Sequence, residues 1–407
     1  MEDIHYILLQ IALVLVAARV CAEIFSRFGA PTIIGELFAG ILLGPSLLNW
    51  VTPNEVLKLL AEIGIILLLF EVGLETDLGR LIKSGFRSTV VAIAGFVLPF
   101  IFGFTTSYYL FELDILVSLF IGGTLTATSI GITVRVLAEL GRHQSHEGQV
   151  VLGAAVIDDL LGVFLLAVLY EFAVSGTVSV ANTGRIMLYV TAFFVLAPVL
   201  ARIISPMIKH FHYRSSTPGL VPTALVSMVL FFATAAYMVG APYLIGGFVA
   251  GIALSRRFFL PFGIALQADP KFVAYTHQQM KPIIQLFTPI FFVMVGLSLD
   301  LNAVNWGSTF IWTFSLVMVV VAVIGKLIGP WLIRETNVLR IIIGMSMVPR
   351  GEVGLIFAEL GRSAGVLDAE VYAGMILVIA YTTLASPIWI KQYYKRVGDQ
   401  LVKTDAL

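Results

Sequence analysis

Two adjacent aspartates, Asp158 and Asp159, lie in AAVIDDLLG, deep inside a long apolar run. A charge in the middle of such a run costs about 2.5–3.5 kcal/mol on insertion scales. Neither side chain can reach an interface, so both need a chemical reason. Neighbouring helical residues point about 100° apart. One can therefore face a cavity while the other meets an adjacent helix. A buried carboxylate can hold a proton or, once ionised, a small hard cation. Proton and cation then compete for one site, the least chemistry that exchange of one for the other requires. Lys326, in VIGKLIGP, is a cation too deep to snorkel to the surface with ease. A buried ammonium needs a carboxylate, and Asp158 or Asp159 is the natural one. Such a pair breaks when a cation or proton replaces the lysine.

Two further stretches interrupt apolar runs. Residues 122–133 read GGTLTATSIGIT, with Thr126, Thr128 and Ser129 among the glycines. Residues 344–356 read GMSMVPRGEVGLI, where Pro349, Gly351 and Gly354 break a helix. Carbonyls freed at a break can ligate a cation, and the half-helix ends carry partial charges. Arg350 and Glu352 neutralise those ends or each other.

The elements that must position these groups follow from composition. Of 407 residues, 59% are hydrophobic and 12% charged, against roughly 25% charged in soluble domains. The mean hydropathy is +0.98. This excludes an ordinary soluble enzyme, a disordered chain and a nucleic-acid binder, and leaves an all-α polytopic membrane protein. Thirteen apolar segments can be read, near 5–26, 31–50, 56–77, 84–111, 115–139, 148–172, 184–208, 219–238, 241–255, 282–301, 306–333, 338–360 and 371–390. Their length and uniform apolarity differ from the alternating strands of a β-barrel. The first segment lacks a basic n-region and a small-residue cleavage site, unlike a signal peptide. Seventeen Lys and Arg fall on one side of the implied topology, and only Lys58, Arg185 and Arg362 on the other. That bias places the N-terminus outside and the C-terminus in the cytoplasm.

The chain also repeats itself. APTIIGELFAGILL at 30–43 matches APYLIGGFVAGIAL at 241–254 in eight of fourteen positions. FEVGLETDL at 70–78 answers VMVGLSLDL at 293–301, and AELGR occurs at 138–142 and 358–362. The three pairs keep their order, 211 to 223 residues apart. Paired spans are seven apart, an odd number, so the halves cross the membrane in opposite senses. Inverted repeats of this kind mark secondary transporters with a midplane site on broken helices. The reading divides the chain into a first repeat (1–174), a linker span (175–215), a second repeat (216–393) and a short cytoplasmic tail (394–407).

Other polar residues carry less. Glu36, Glu71, Glu75 and Asp77 are expected to be structural or to line an aqueous entrance. His143, His146 and Glu147, in HQSHE, and His210 and His212 are expected in solvated loops rather than in a metal site. A P-loop is absent, so no ATP-driven pump is visible. One cysteine, Cys21, cannot form an intrachain disulfide.

Taken together, PTIIGELFAGILLGPS, LLFEVGLETDL, AAVIDDLLG, the lysine of span eleven and MVPRGEVGLIFAEL resemble the second branch of the monovalent cation:proton antiporter superfamily. The resemblance runs from about residue 31 to 385, and the paired aspartates are similar to those of NapA-type sodium/proton exchangers. It implies thirteen helices, with an ion-translocating core domain from spans at 84–172 and 306–390 and a dimerisation domain from the rest. It implies Asp159 as the carrier of Na+ and H+, Asp158 paired with Lys326, and Thr126, Thr128 and Ser129 at the helix crossing beside the site. It further implies electrogenic Na+/H+ antiport by elevator-like movement, with K+/H+ exchange as the alternative. A homodimer in a prokaryotic inner membrane is expected, surrounded by lipid, with transported ions but no cofactor.

Overall fold

A computed structural model describes residues 4–75, 78–175, 219–254, 257–259, 265–267, 270–299 and 301–405, with isolated helical positions between 184 and 200. The expected span at 184–208 therefore lies largely outside the described residues, as do Asp77, His210 and His212. The described helices are α1 (Ile4–Arg27), α2 (Thr32–Leu43), α3 (Glu55–Glu75), α4 (Leu78–Tyr109), α5 (Ile115–Thr126), α6 (Ile130–Glu139) and α7 (His146–Ser175). They continue with α8 (Leu220–Met238), α9 (Tyr243–Leu254), α10 (Pro270–Leu297), α11 (Thr309–Ile328), α12 (Asn337–Ser346), α13 (Glu352–Ser363) and α14 (Ala369–Asp405). Eight stretches among them are long and apolar enough to cross a membrane, with α5 and α6 counted as one. The chain is an integral membrane protein.

Spans five and twelve are each two half-helices, α5–α6 and α12–α13, broken where glycines, hydroxyls and Pro349 interrupt the sequence. Hydroxyl caps set three helix starts. Ser129, Ser308 and Thr336 accept from the backbone N–H of Ile132, Ile311 and Leu339, at 3.5, 3.4 and 3.3 Å. α2 and α9 have only 12 residues each, about 18 Å of helix.

Glycine contacts show the inverted repeat atom by atom. A Cβ on Gly40 would strike Val293 O, Gly296 Cα and Leu297 N. A Cβ on Gly251 would strike Phe70 O, Gly73 Cα and Leu74 N. Gly251 follows Gly40 by 211 residues, and each struck residue of the first set follows its counterpart by 223. Gly35 on Cys21 and Ala22 likewise has its image in Gly246 on Phe232 and Ala233. Backbones approach this closely where at least one helix carries glycine, as at small-residue membrane interfaces.

The helices pack as two groups. α1, α2, α3, α8, α9 and α10 pack on one another, and α4 to α7 pack with α11 to α14. The contacts between groups run mainly through α6 and α14.

Three features depart from the hydropathy reading. The 256–281 loop contains a two-stranded antiparallel ribbon, Arg257–Phe259 against Ala265–Gln267, the exception to an all-α architecture. α10 begins at Pro270 rather than near 282, because proline suits a first helical turn. α14 continues to Asp405 rather than ending near 390; its polar extension carries Lys391, Gln392, Lys395, Arg396, Gln400 and Lys403, all good helix formers.

Gly40→Val and Gly251→Val are each expected to destabilise the protein by about 1–3 kcal/mol or more, since backbone must move. Gly85→Ala, with nothing within 4 Å of the added carbon, is expected to be neutral or stabilising by up to about 1 kcal/mol. Thermal unfolding in detergent checks both. A Gly40→Val protein as stable as the parent contradicts the close approach.

Candidate functional site

The two interrupted spans cross with their breaks side by side. Ser129 N–H donates to Pro349 O at 2.8 Å, and the Thr128 hydroxyl donates to Met347 O at 3.1 Å. Below them the Thr133 hydroxyl donates to Ser346 O at 2.8 Å. Gly351 lies so close to Ser129 that a Cβ there would meet the Ser129 Oγ at 2.6 Å. Each break thus satisfies part of the other's backbone.

Arg350 satisfies most of the remainder. It is fully buried, and its guanidinium donates to Leu125 O at 2.6 Å, Val348 O at 3.1 Å and Met347 O at 3.3 Å. These are carbonyls left open at the C-terminal ends of α5 and α12, where partial negative charge collects. One planar fork serves both ends, which a lysine could not do. The Arg350 carbonyl in turn accepts from the Thr383 hydroxyl of α14 at 2.6 Å. Thr383 was not singled out from sequence; the TT pair inside an otherwise apolar span was its only signal.

Asp158 projects from the middle of α7 into this crossing. Its Oδ2 accepts from Thr128 N–H at 2.9 Å, just ahead of α6. Lys326, near the end of α11, donates to Asp158 Oδ2 at 3.2 Å and Oδ1 at 3.3 Å. Exposure is 1% for Asp158, 2% for Asp159 and 1% for Lys326. The lysine stem lies along Gly95 of α4, whose missing side chain leaves room for it. Lys326 also feels the charges of Asp159 and Arg350. The structure therefore brings both aspartates, Lys326, Thr128, Ser129 and Arg350 to one buried place.

Two other sequence candidates are placed differently or not described. Thr126 turns its hydroxyl back onto Gly123 O of its own helix at 2.8 Å. Glu352 opens α13, and its side chain lies outside the described residues.

The HQSHE stretch is more than a solvated loop. Glu147 is buried, bonded by Arg142 at 2.8 Å and by the Tyr394 hydroxyl of α14 at 3.2 Å. His146 meets Glu335 at 2.8 Å, and Arg87 meets the same oxygen at 3.1 Å. These pairs staple the ends of α4, α7 and α14 at one face. Among the described residues no group of three metal-ligating side chains exists.

Lys326→Met is expected to destabilise the protein by about 3–5 kcal/mol, because it leaves a buried carboxylate without its ammonium. Adding Asp158→Asn is expected to recover most of that loss. Chemical or thermal unfolding of the single and double variants checks it. Two independent, additive losses would contradict the pairing.

A family described as sodium/hydrogen exchanger, transmembrane, matches residues 11–396. The high-affinity Na+/H+ antiporter NhaS3 of Synechocystis sp. is 30% identical, with 96% of this chain and 90% of that protein aligned. The Na+/H+-K+ antiporter GerN of Bacillus cereus is 34% identical over 94% of this chain and 95% of its own. A Na+/H+ antiporter of Enterococcus hirae is 31% identical, with 95% and 98% covered. The solved structure of the sodium proton antiporter MjNhaP1 from Methanocaldococcus jannaschii aligns with a TM-score of 0.68 at 15% identity, over 95% of this chain and 97% of that one. At that identity the likeness speaks for the fold alone. With the family matched over nearly its whole length, and with a helix crossing built around buried acids, this chain belongs to the transmembrane sodium/hydrogen exchanger family.

Proposed function

We propose that the chain is a secondary active transporter, not an enzyme, that exchanges cytoplasmic Na+ for external H+ at Asp159. The observation that carries this reading is the pair of adjacent buried acids, of which Asp158 is held by Lys326 and the Thr128 N–H. Asp159, buried one residue round the helix from Asp158, is assigned the exchanged proton and cation, as the family resemblance implies. Proton and Na+ compete for it, so exchange rises with pH as the carboxylate ionises. The relatives named as Na+/H+ antiporters support the choice of ions.

The finer features belong to the same proposal. The spans at 84–172 and 306–390 form a core domain that moves, elevator-like, against a dimerisation domain made from the rest. The division of the packing into two helix groups supports this. With both aspartates present, the cycle moves net charge. The protein works as a homodimer in a prokaryotic inner membrane, N-terminus outside and C-terminus in the cytoplasm, as the loop charges suggest. K+/H+ exchange on the same fold is the second reading. It is favoured by the name of GerN, a Na+/H+-K+ antiporter of similar sequence.

Proteoliposomes with a trapped pH-sensitive dye and an imposed proton gradient test both readings. Na+ addition is expected to restore the dye signal, and Asp159→Asn is expected to abolish that response. Recovery with K+ but not Na+ selects the second reading. Full activity in Asp159→Asn overturns the assignment of the site.

A further inference from the structure

The two repeats share a fold but not a conformation at their ends, and the difference locates a gate. On the side where α2 begins and α6 ends, the two helix groups are closed together. Glu36 of α2 is fully buried between Arg135 of α6 at 3.9 Å and Arg19 of α1 at 4.0 Å. Among the described residues, no donor makes a hydrogen bond to either of its carboxylate oxygens. Glu139, one turn beyond Arg135 and 3.3 Å from it, accepts from Thr32 N–H at 3.1 Å and from the Thr32 hydroxyl. That carboxylate sits at the N-terminus of α2, where negative charge is stabilised. Val136, beside these residues, is 1% exposed.

The repeat images of the same residues are arranged differently. The AELGR repeat carries Val136 onto Ile356 and Arg135 onto Leu355; the α2 repeat carries Thr32 onto Tyr243 and Glu36 onto Gly247. Ile356 is 48% exposed. Ile356, Leu355 and Tyr243 line a cavity of about 460 Å³ between the two helix groups, together with Ile65, Met294 and Val353. Val353 also faces Gly162, where an added Cβ would lie 3.6 Å from it, one helical turn past Asp158. One side is therefore shut by ion pairs. Its image is open and lined mostly by apolar side chains, with Lys58 and Glu62 also in its wall, and leads toward the aspartates.

We propose that Glu36, Arg135, Glu139 and Thr32 form a charged clasp that closes one access path to the aspartates, and that the cavity at Ile356 and Tyr243 is the opposite path standing open. The proposal rests on the antiport reading and adds the gate to it. The clasp bridges the two helix groups, so exchange requires its release. The distances of 3.9 and 4.0 Å are longer than close charge-assisted hydrogen bonds, which suits a contact made and broken each cycle. Because Gly247 and Leu355 replace the charged pair in the other repeat, closure on that side lacks this ion pair. The clasp therefore biases the resting protein toward the conformation described here.

The test uses full-length protein in nanodiscs, with Cys21→Ser removing the single native cysteine. Val136→Cys and Ile356→Cys are labelled separately with a water-soluble maleimide. Without further change, Ile356→Cys is expected to react fast and Val136→Cys slowly. Adding Glu36→Gln is expected to slow the first and speed the second, each by about fivefold or more. The charge-preserving Arg135→Lys is expected to keep the original rates. Unchanged rates in both Glu36→Gln and Arg135→Gln overturn the clasp. Both rates rising together also overturn it, because that is loosening rather than a switch. Flux from the same preparations is measured in parallel. Absent flux in the parent protein sinks the antiport reading while leaving the labelling result interpretable.

Discussion

Backbone left unpaired in hydrocarbon costs several kcal/mol per group, and two broken helices crossing in a membrane create many such groups. This protein meets the cost largely with Arg350. A single guanidinium answers carbonyls of Leu125, Met347 and Val348, joining the ends of two half-helices from opposite repeats. Everything at the site depends on that junction. It fixes the 127–129 segment, which turns the Thr128 N–H toward Asp158. Asp158 in turn justifies a lysine buried beside α4.

The charge balance of this assembly connects to its proposed use. Lys326 and Arg350 are two buried cations, and Asp158 and Asp159 two buried acids. The four groups sum to zero when both acids are ionised. Loading one proton or one monovalent cation adds the same single charge, so the proposed electrogenic cycle requires a further proton to be carried. The buried environment then meets similar electrostatics with either ion bound, a physical basis for exchanging one for the other.

Symmetry provides the frame in which asymmetry becomes informative. The glycine contacts of α2 with α10 and of α3 with α9 are images of one another and hold the two repeats in register. Against that rigid frame, the helix ends at Val136 and Ile356 differ sharply in exposure. Identical architecture with unequal closure is what a two-state carrier caught in one state presents.

Much of this was determined by the sequence alone. Thirteen apolar runs, the ordered repeats, the breaks at 122–133 and 344–356 and the buried acids follow from transfer energetics, and those are local. A charge in a long apolar run is costly wherever the chain goes. Other features depended on tertiary structure. Read by themselves, the residues left either aspartate open as the lysine's partner, because helix rotation decides which one faces α11. They left Arg350 free to meet Glu352 or the helix ends; the crossing of distant spans delivered it to three carbonyls. Glu36 reads as structural or entrance-lining with no partner identified, and Glu147 as part of a solvated loop. Only packing brought each to its partners. Hydropathy reports the cost of burying a charge, whereas the partner that offsets the cost is set by contacts between residues far apart in sequence, as with Glu36 and Arg135 or Glu147 and Tyr394.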